Sequence, residues 1–533
     1  MSAGIGRTAS AEVGQPAGPT RGSPQRRIAL VLFAATAIVY ALTAPGHLGT
    51  TDMRVEFAVA QSIVDQGDFT VAHSLPYEPV PYLVGPDGRH YTDHGLGQSI
   101  LLIPAALVGR LGGCTDPAAC PANAQHAAEF AASFLDGLAA ALAVTLMFLL
   151  ALDLGAAMRP ALALALLFGF TTIVWAYAHD AFDVGPTGAV LVLALYALVH
   201  GTRRKSLFWL AIAGAAAGFA VLIRVPDVLF LPILGAYLVT VSWRLGWTTM
   251  LTRLLAFGLP VAAMLAIFGW YNWVRFGSAM QTGYTLPSDY FTGARAYGFV
   301  GWGAYPGSLT AMLFSPGRSI FIYSPILIAA AAGLPLLWRH NRALAATVIG
   351  VAGVNLLFYA AFGPVPGWAW GPRYFVPVMP FLILPLLPVL QRWQALPPRV
   401  RYGIYALAAA GIVIQLLDVG IEFGHQIQLQ LDAGIEPDGQ WWNPQSSAIW
   451  RHAAAMIGLL HGSAAYPVSY QPTDLSTATP LTTTLDVWWT YAWINGVNPL
   501  VLVTVLGGAV AALTRLVVRV RRALRLADGP AAA

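Results

Sequence analysis

The first candidates for chemistry lie directly after the first hydrophobic run of the chain. Asp52 follows Thr51, and Glu56 comes one helical turn later. A carboxylate held at the start of a helix can remove a proton from a hydroxyl group, as a general base does. The same carboxylate could instead cap the helix, and the local residues favour both roles equally. We interpret Asp52 as the candidate base. Glu56 is a candidate substrate contact, or it simply solvates one face of the helix.

A second group of ionisable residues lies in the stretch AYAHDAFDVG, between two hydrophobic runs. It contains His179, Asp180 and Asp183. Asp180 or Asp183 could support the binding of an acceptor substrate or of a metal ion, so both are candidates for catalysis and His179 for substrate binding. An equally good explanation is a cluster at a helix terminus, where the helix dipole favours Asp183.

His94 is a further candidate for substrate binding. Together with Asp93 and His90 it could bind a divalent cation beside Asp52, because mixed histidine and carboxylate ligands suit such ions. Histidines are also common in loops that bind nothing. The sequence therefore establishes no cofactor, and a divalent cation is the one that it suggests.

Three arginines at the ends of hydrophobic runs could bind a phosphate group. They are Arg224, Arg318 and Arg373, and the chain's one lysine, Lys205, lies in a different basic cluster. The guanidinium fork matches the geometry of a phosphate. Arg224 and Arg373 are the better candidates, since each lies beside a proline close to a hydrophobic run. The alternative for each is contact with lipid headgroups.

The composition is that of a membrane protein. The 533 residues are 57% hydrophobic and 10% charged, whereas a soluble domain has about 25% charged residues. The net charge is +5, but the basic residues form short clusters between hydrophobic runs, which argues against nucleic acid as a partner. The chain contains neither a P-loop nor a dinucleotide-binding fingerprint, which disfavours ATP or a nucleotide sugar as a substrate.

Run lengths predict an all-α polytopic bundle of about 12 transmembrane helices. We expect spans at residues 28–45, 127–152, 160–178, 184–201, 206–224, 226–243, 254–271, 319–338, 343–362, 373–390, 402–420 and 497–517. All basic clusters fall on one side of the membrane, the cytoplasm, only if residues 96–112 lie in the outer leaflet without crossing it. Both termini are then cytoplasmic, and loops 46–126, 272–318 and 421–496 face outward.

The two cysteines fall in the first of these outward loops, in the sequence CTDPAAC. An oxidising compartment would allow a disulfide between Cys114 and Cys120. Two unpaired cysteines are equally consistent with the sequence, because this spacing is specific neither for a redox motif nor for a zinc site.

Several motifs in order along the chain resemble the GT-C superfamily of membrane glycosyltransferases, in particular bacterial aminoarabinose transferases and protein O-mannosyltransferases. GTTDMRVEFAVAQSIVDQGDF resembles their first outer loop, and GPDGRHYTDHGLGQSILLIPAALVG resembles their juxtamembrane helix. Further matches are AYAHDAFDVGPTGAVLVLALYAL, LIRVPDVLFLPIL, YNWVRFGSAMQTGY and GWAWGPRYFVPVMPFL. The resemblance covers residues 28–390. The chain departs from it at Thr51-Asp52, where the superfamily commonly has an Asp-Glu pair, and in YTDHG, where the usual lysine is missing.

The resemblance implies a sugar transfer from a polyprenyl-phosphate donor to an acceptor at the outer face of a bacterial plasma membrane, with inversion. The acceptor would be a lipid-linked glycan, a wall polysaccharide or a protein, and membrane lipids surround the enzyme. Asp52 would be the general base, while Arg224, Arg318 and Arg373 would bind the donor phosphate.

The same reading divides the chain into five parts. Residues 1–27 form a disordered cytoplasmic tail, residues 28–271 a catalytic module and residues 272–420 a variable transmembrane module. Residues 421–496 form an outer loop, and residues 497–533 the last span with a basic tail.

Two other classes of function are consistent with a polytopic chain. A transporter or lipid flippase would place its charges near the middle of the membrane, in two related halves. The candidate residues here concentrate at the ends of spans, which favours chemistry at the membrane surface. A scaffold that binds glycans without catalysis would not need Asp52.

Overall fold

The computed structural model describes residues 24–71, 82–114, 121–285, 301–361, 369–421, 434, 441–461, 485–494 and 496–527. In these residues the α-helices α1 to α21 are, in chain order, Pro24–Leu42, Thr51–Asp65, Leu96–Leu111, Ala122–Ala132, Leu135–Asp153, Met158–Phe170, Ala176–His179, Val184–Arg204, Leu207–Ile223, Leu231–Ser242, Trp247–Phe276, Tyr305–Phe314, Ile320–Tyr323, Ile326–His340, Arg342–Ala361, Met379–Ile383, Leu387–Gln391, Pro398–Gly420, Ala448–Leu460, Trp488–Ile494 and Pro499–Ala527. Short 3-10 helices lie at Val225–Phe230, Trp243–Leu245, Gly283–Thr285, Arg373–Phe375, Leu384–Leu386, Trp393–Ala395 and Pro444–Ser446.

Eight helices in the described part of the chain are long and apolar enough to cross a membrane: Pro24–Leu42, Asn123–Asp153, Val184–Arg204, Val225–Leu245, Trp247–Phe276, Arg342–Ala361, Pro398–Gly420 and Pro499–Arg525. Shorter apolar helices lie at Leu96–Leu111, Met158–Phe170, Leu207–Ile223, Ile326–His340, Met379–Gln391 and Ala448–Leu460. Each predicted span overlaps one of these helices. The all-α polytopic architecture is therefore confirmed.

The predicted span at residues 373–390 is broken into pieces. It becomes a 3-10 turn at Arg373–Phe375, the helix Met379–Ile383, a second 3-10 turn and the helix Leu387–Gln391. Pro380, Pro385 and Pro388 each lack a backbone N–H and obstruct a regular helix at these positions. The break leaves Arg373 at the end of the hydrophobic segment instead of inside a continuous helix.

Helix α2, Thr51–Asp65, confirms the helix expected at Asp52, but Glu56, one helical turn after Asp52, is buried. Met53 and Phe57 pack with Leu102 and Ala105 of α3, Leu96–Leu111. Val55 and Val59 pack on the opposite side. The helix is therefore enclosed on both sides. It carries Glu56 into the interior of the protein, while the Asp52 side chain in its first turn remains 30% exposed.

A small antiparallel hairpin precedes α3. Its strands β1, Leu83–Val84, and β2, His90–Tyr91, pair with Leu83 opposite Tyr91. It is not predictable from the sequence, because strands of two residues are too short to show an alternating pattern. The hairpin leads directly into the segment that carries Asp93 and His94.

Cys114 is disulfide-bonded. Cys120, the partner expected from the sequence, lies outside the described residues, so the pairing of these two cysteines stays a prediction.

Candidate active site

Thr50, and not Asp52, caps helix α2. The Thr50 side chain accepts a hydrogen bond of 3.3 Å from the backbone N–H of Met53, and its hydroxyl donates to the carbonyl oxygen of Ala181. A threonine in this position satisfies an N–H group at the helix start. The alternative role of Asp52 as the cap is therefore wrong. Its carboxylate, two residues further on, is available for other partners.

Asp52 forms an ion pair with Arg373, which lies 321 residues away in the sequence. Arg373 Nη1 is 3.2 Å from Asp52 Oδ2, and the side chains are 15% and 30% exposed. Arg373 is fixed independently by its Nη2, which donates to the Tyr374 hydroxyl at 2.9 Å. Its guanidinium carbon also lies 4.8 Å from the centre of the Phe182 ring. Two residues that the sequence assigned to the base and to phosphate binding thus lie together.

His94 is the second ionic neighbour of Asp52. His94 Nε2 lies 3.9 Å from Asp52 Oδ1, and Nδ1 lies 2.8 Å from Asp93 Oδ1. Burial by itself would lower the pKa of His94, but Asp93 and Asp52 raise that pKa well above its usual range. Burial would raise the pKa of Asp52, but Arg373 and His94 hold it well below its usual range. Asp52 is therefore an ionised carboxylate between two cations.

The backbone around His94 is held by a buried arginine that the sequence analysis did not single out. Arg275, at the end of α11, donates from Nη1 to the carbonyl oxygens of Thr92 and His94, the latter at 3.2 Å. Its guanidinium carbon lies 3.6 Å from the centre of the Tyr271 ring. An arginine in the aromatic sequence YNWVRFG was the one available signal, and by itself it resembles an ordinary helix end.

Two glycines bring this same segment against the end of α9. A Cβ atom on Gly95 would lie 2.2 Å from the carbonyl oxygen of Leu222, and one on Gly97 would lie 2.5 Å from the Ile223 side chain. Only residues without a side chain allow so close an approach of two backbones. His94 directly precedes Gly95, and Arg224 directly follows Ile223. These contacts therefore fix His94 and Arg224 relative to each other.

Arg224 forms a second ion pair, with Asp183. Its Nη1 lies 2.5 Å from Asp183 Oδ1, and the side chains are 8% and 6% exposed. Its Nη2 donates to the Tyr359 hydroxyl at 3.1 Å. The rings of Tyr359 and Tyr374 are stacked with their centres 4.4 Å apart. Because Tyr374 also accepts from Arg373, the two ion pairs are joined through the stacked tyrosines.

Glu56 is fully buried, so the alternative that it solvates an exposed helix face is wrong. Neither of its carboxyl oxygens has a hydrogen-bond partner among the described residues. Burial raises the pKa of Glu56 well above its usual range. His94 opposes this effect, and the carboxylates of Asp183 and Asp52 add to it. Glu56 is thus a buried carboxyl group with a raised pKa, one helical turn from Asp52.

Arg318 contacts the backbone before Arg373. Its Nη1 donates to the carbonyl oxygens of Ala369 and Gly371 at 2.9 and 3.1 Å. These contacts fix the loop that presents Arg373. A role of Arg318 in binding phosphate stays a prediction.

The sequence grouped His179, Asp180 and Asp183, but the structure separates them. His179 Nε2 lies 3.2 Å from Asp486 Oδ2, whose other oxygen is 2.8 Å from His47 Nε2. Burial raises the pKa of Asp180 to about 7; His179 opposes the shift and Asp486 adds to it. Asp486 was not predicted, because it lies in a long loop without a recognisable motif. His179 and Asp180 therefore belong to a second polar cluster, and Asp183 belongs to the arginine pairs.

The cation site suggested for His90, Asp93 and His94 is not formed. In the described ranges no three His, Cys, Asp or Glu side chains are arranged to hold a metal ion. His94 Nδ1 faces Asp93, while the ring of His90, on the hairpin, lies 4.0 Å from that of Tyr82. The hairpin strand directs His90 to other neighbours.

No known protein family and no curated protein matches the sequence. Solved structures similar to the chain include ArnT from Cupriavidus metallidurans bound to undecaprenyl phosphate, with 17% identity and a TM-score of 0.42 over 94% of this chain and 77% of that one. They also include the Archaeoglobus fulgidus oligosaccharyltransferase in the apo form, with 14% identity and a TM-score of 0.43. Archaeal AglB from Archaeoglobus fulgidus, in complex with an inhibitory peptide and a dolichol-phosphate, has 13% identity and a TM-score of 0.41.

The last two matches cover 89% of this chain and 63% of the other, so the chain spans less than two thirds of those oligosaccharyltransferases.

Proposed function

We propose that the chain is an integral-membrane glycosyltransferase that moves a sugar from a polyprenyl-phosphate-linked donor to a hydroxyl group of an acceptor. The pair of Asp52 and Arg373, 3.2 Å apart and partly exposed, supports this proposal. A displacement at the anomeric carbon requires a base for the acceptor proton and a cation for the departing phosphate. Asp52 and Arg373 supply these two groups. The acceptor is a lipid-linked glycan, a wall polysaccharide or a protein.

The reaction follows from the placement of these groups. The acceptor oxygen forms a bond to the anomeric carbon while the bond from that carbon to the phosphate oxygen breaks. Polyprenyl phosphate leaves with the bonding electrons, and the acceptor proton passes to Asp52. Arg373 stabilises the charge that develops on the phosphate. Attack on the face opposite to the leaving group inverts the anomeric centre.

Neighbouring residues position the two reacting groups. His94, charged through its contacts with Asp93 and Asp52, orients the second oxygen of Asp52. Asp183 and Tyr359 fix Arg224, which contributes positive charge near the donor phosphate. His179 and Asp180, in the cluster with Asp486, are candidates for contact with the acceptor.

We further propose that the protein lies in a bacterial plasma membrane with both termini in the cytoplasm. The site then faces the periplasm or the exterior, since the basic clusters between spans favour the cytoplasmic side. This orientation puts Asp52 at the surface where an acceptor from the cell envelope is available.

The test is release of polyprenyl phosphate by the purified protein in lipid nanodiscs, with a panel of polyprenyl-phosphate sugars and a crude envelope acceptor. We expect turnover in the parent and a loss of about two to four orders of magnitude in Asp52→Asn. Asp68→Asn is the matched control, because the Asp68 side chain is 31% exposed and lies in the same loop region. Its turnover should equal that of the parent.

Equal turnover in the parent and in Asp52→Asn would remove Asp52 as the base. No turnover with any donor would favour the transporter alternative, which can be examined in the same nanodisc preparation reconstituted into vesicles. A fluorescent polyprenyl phosphate that changes leaflet only when the protein is present would then identify a flippase.

A further inference from the structure

The contact between Asp52 and Arg373 is a loose one. It joins a single nitrogen of the guanidinium to a single carboxylate oxygen at 3.2 Å. Charge-assisted hydrogen bonds of this kind are usually about 2.7 to 2.9 Å long, and the strong ones use two nitrogens. The Nε atom of Arg373 is buried and has no hydrogen-bond partner among the described residues. Arg373 therefore has hydrogen-bond donors that Asp52 does not use, so it can bind an anion that offers more acceptor oxygens.

Arg373 does not depend on Asp52 for its position. The Tyr374 hydroxyl accepts from its Nη2 at 2.9 Å, and the rings of Phe182 and Tyr374 lie 4.8 and 4.9 Å from its guanidinium carbon. If the carboxylate moved away, the guanidinium would remain in the same place. It is a preorganised anion-binding site.

Asp52 likewise keeps a partner when Arg373 is taken by another anion. Its Oδ1 faces His94 at 3.9 Å, and the side chain is 30% exposed. After burial, which acts in the opposite direction, Arg373 is the largest influence on the pKa of Asp52, and it lowers that pKa. A phosphate that neutralises Arg373 would make Asp52 a stronger base. The structure thus contains an ionised but weakly basic carboxylate whose basicity depends on what Arg373 binds.

We propose that Asp52 occupies, on Arg373, the place of the phosphate group of the polyprenyl-phosphate donor. Donor binding then displaces the carboxylate from the arginine, and the release of Asp52 for the acceptor hydroxyl coincides with donor binding. This inference rests on the proposed function. It adds that Asp52 opposes donor binding in the resting protein, so that the base becomes effective only when a lipid phosphate is bound to Arg373.

The test measures the binding of undecaprenyl phosphate, which carries no sugar and cannot turn over, to the full-length protein in phosphatidylcholine nanodiscs. We expect Asp52→Asn and Asp52→Ala to bind it about fivefold more tightly than the parent, as removal of a partly exposed competing ion pair implies. Asp68→Asn should bind as the parent does. Equal or weaker binding by both Asp52 variants would overturn the proposal.

Two further experiments identify the anion-binding site and its ligand. In the background of Arg373→Ala, replacement of Asp52 should give no gain, because the arginine for which the two anions compete is missing. A gain that persists there would contradict the proposal. In nanodiscs that contain phosphatidylglycerol, Asp52→Asn should still bind undecaprenyl phosphate more tightly than the parent. The ratio of the two affinities should equal that in phosphatidylcholine nanodiscs. If this lipid abolishes the binding of undecaprenyl phosphate by Asp52→Asn, the site at Arg373 binds any headgroup phosphate and is not specific for the donor.

The result is independent of turnover. Tighter binding by Asp52→Asn together with lost turnover supports both proposals. Tighter binding with turnover intact supports the competition and removes Asp52 as the base. Unchanged binding with lost turnover supports the base and removes the competition.

Discussion

Asp52–Arg373 and Asp183–Arg224 are two ion pairs of the same chemistry in different surroundings. The first has side chains 30% and 15% exposed and joins its atoms at 3.2 Å. The second has side chains 6% and 8% exposed and joins its atoms at 2.5 Å. Stacked Tyr359 and Tyr374 connect the arginines of the two pairs. We call Asp52–Arg373 the open pair and Asp183–Arg224 the closed pair. Their difference in exposure suggests a division of roles, in which the open pair exchanges partners and the closed pair stabilises the surrounding helix ends.

The origin of the difference lies in the elements that carry the pairs. Asp183 precedes α8 and Arg224 follows α9, two helices whose ends are enclosed by other spans. Asp52 lies in the first turn of α2. Arg373 begins a short 3-10 helix directly after a loop whose backbone carbonyls accept from Arg318. A pair between two packed helix ends cannot separate without disturbing the core. A pair between a helix start and a loop can.

The largest expected effect is a difference in the unfolding free energy that is lost when each pair is broken. Asp183→Ala leaves the buried charge of Arg224 without its carboxylate, which should cost about 3 to 5 kcal/mol of unfolding free energy. Asp52→Ala should cost less than about 1 kcal/mol, because Asp52 is 30% exposed and Arg373 remains fixed by Tyr374. Denaturant unfolding of both variants in the same detergent measures the difference. Equal losses would show that the pairs do not differ in kind.

The next effect concerns Arg275, which supports the open pair from behind. Arg275→Ala leaves the carbonyl oxygens of Thr92 and His94 without this donor, at a cost of about 2 kcal/mol in stability. We also expect a fall in turnover, because His94 is no longer held beside Asp52. Arg253→Ala is the control: Arg253 is similarly buried and donates to Ser242, but it lies in another part of α11.

The control should lose stability and keep the parent's turnover per folded molecule. If both variants keep that turnover, Arg275 serves the fold alone and does not position His94.

Much of the fold follows from the sequence because hydrophobic runs of membrane length are a strong signal. The positions of the basic clusters also predicted that residues 96–112 lie in the outer leaflet without crossing the membrane. A helix is found there, Leu96–Leu111, and its place in the outer leaflet stays a prediction. The interruptions after Arg373 were not predicted as such, although Pro380, Pro385 and Pro388 are visible in the sequence. Run length measures hydrophobicity, and it does not record where backbone hydrogen bonds are lost.

The site was predictable only as a set of residue types. Asp52 and Arg373 were both candidates, but nothing local indicates that residues 321 positions apart form a pair. His179, Asp180 and Asp183 are neighbours in sequence, and yet they serve two clusters. Asp486 lies in a region without motifs and was missed. Partners across a bundle are chosen by helix packing, which the order of side chains along one helix does not reveal.

A smaller effect is expected at the contact that links the two pairs. Gly97→Ala would put a Cβ atom 2.5 Å from the Ile223 side chain, directly before Arg224. Overpacking of this kind costs about 1 to 3 kcal/mol, and we expect a lower melting temperature and slower turnover. Gly258→Ala is the control, because no neighbouring atom lies within 4 Å of a Cβ atom there. It should stabilise its helix by up to about 1 kcal/mol. A harmless Gly97→Ala would mean that the two segments can move apart freely.

The smallest expected effect uses pH to distinguish the open pair from the closed one. The pKa of His94 is raised in the folded protein, so its charged form stabilises the fold fully below about pH 6.5. This stabilisation is lost as the pH rises through the folded-state pKa. His94→Gln should therefore cost about 1 kcal/mol at pH 6 and progressively less toward pH 10. His461→Gln, at an exposed histidine outside this site, is the control.

The cost of Asp183→Ala, in contrast, should not vary with pH above 6, because Arg224 stays charged throughout. Unfolding free energies of the three variants and the parent at pH 6, 8 and 10 test this expectation. A constant cost for His94→Gln would mean that its charge does not stabilise Asp52. The open pair would then be no more sensitive to protonation than the closed one, and the two would differ in exposure alone.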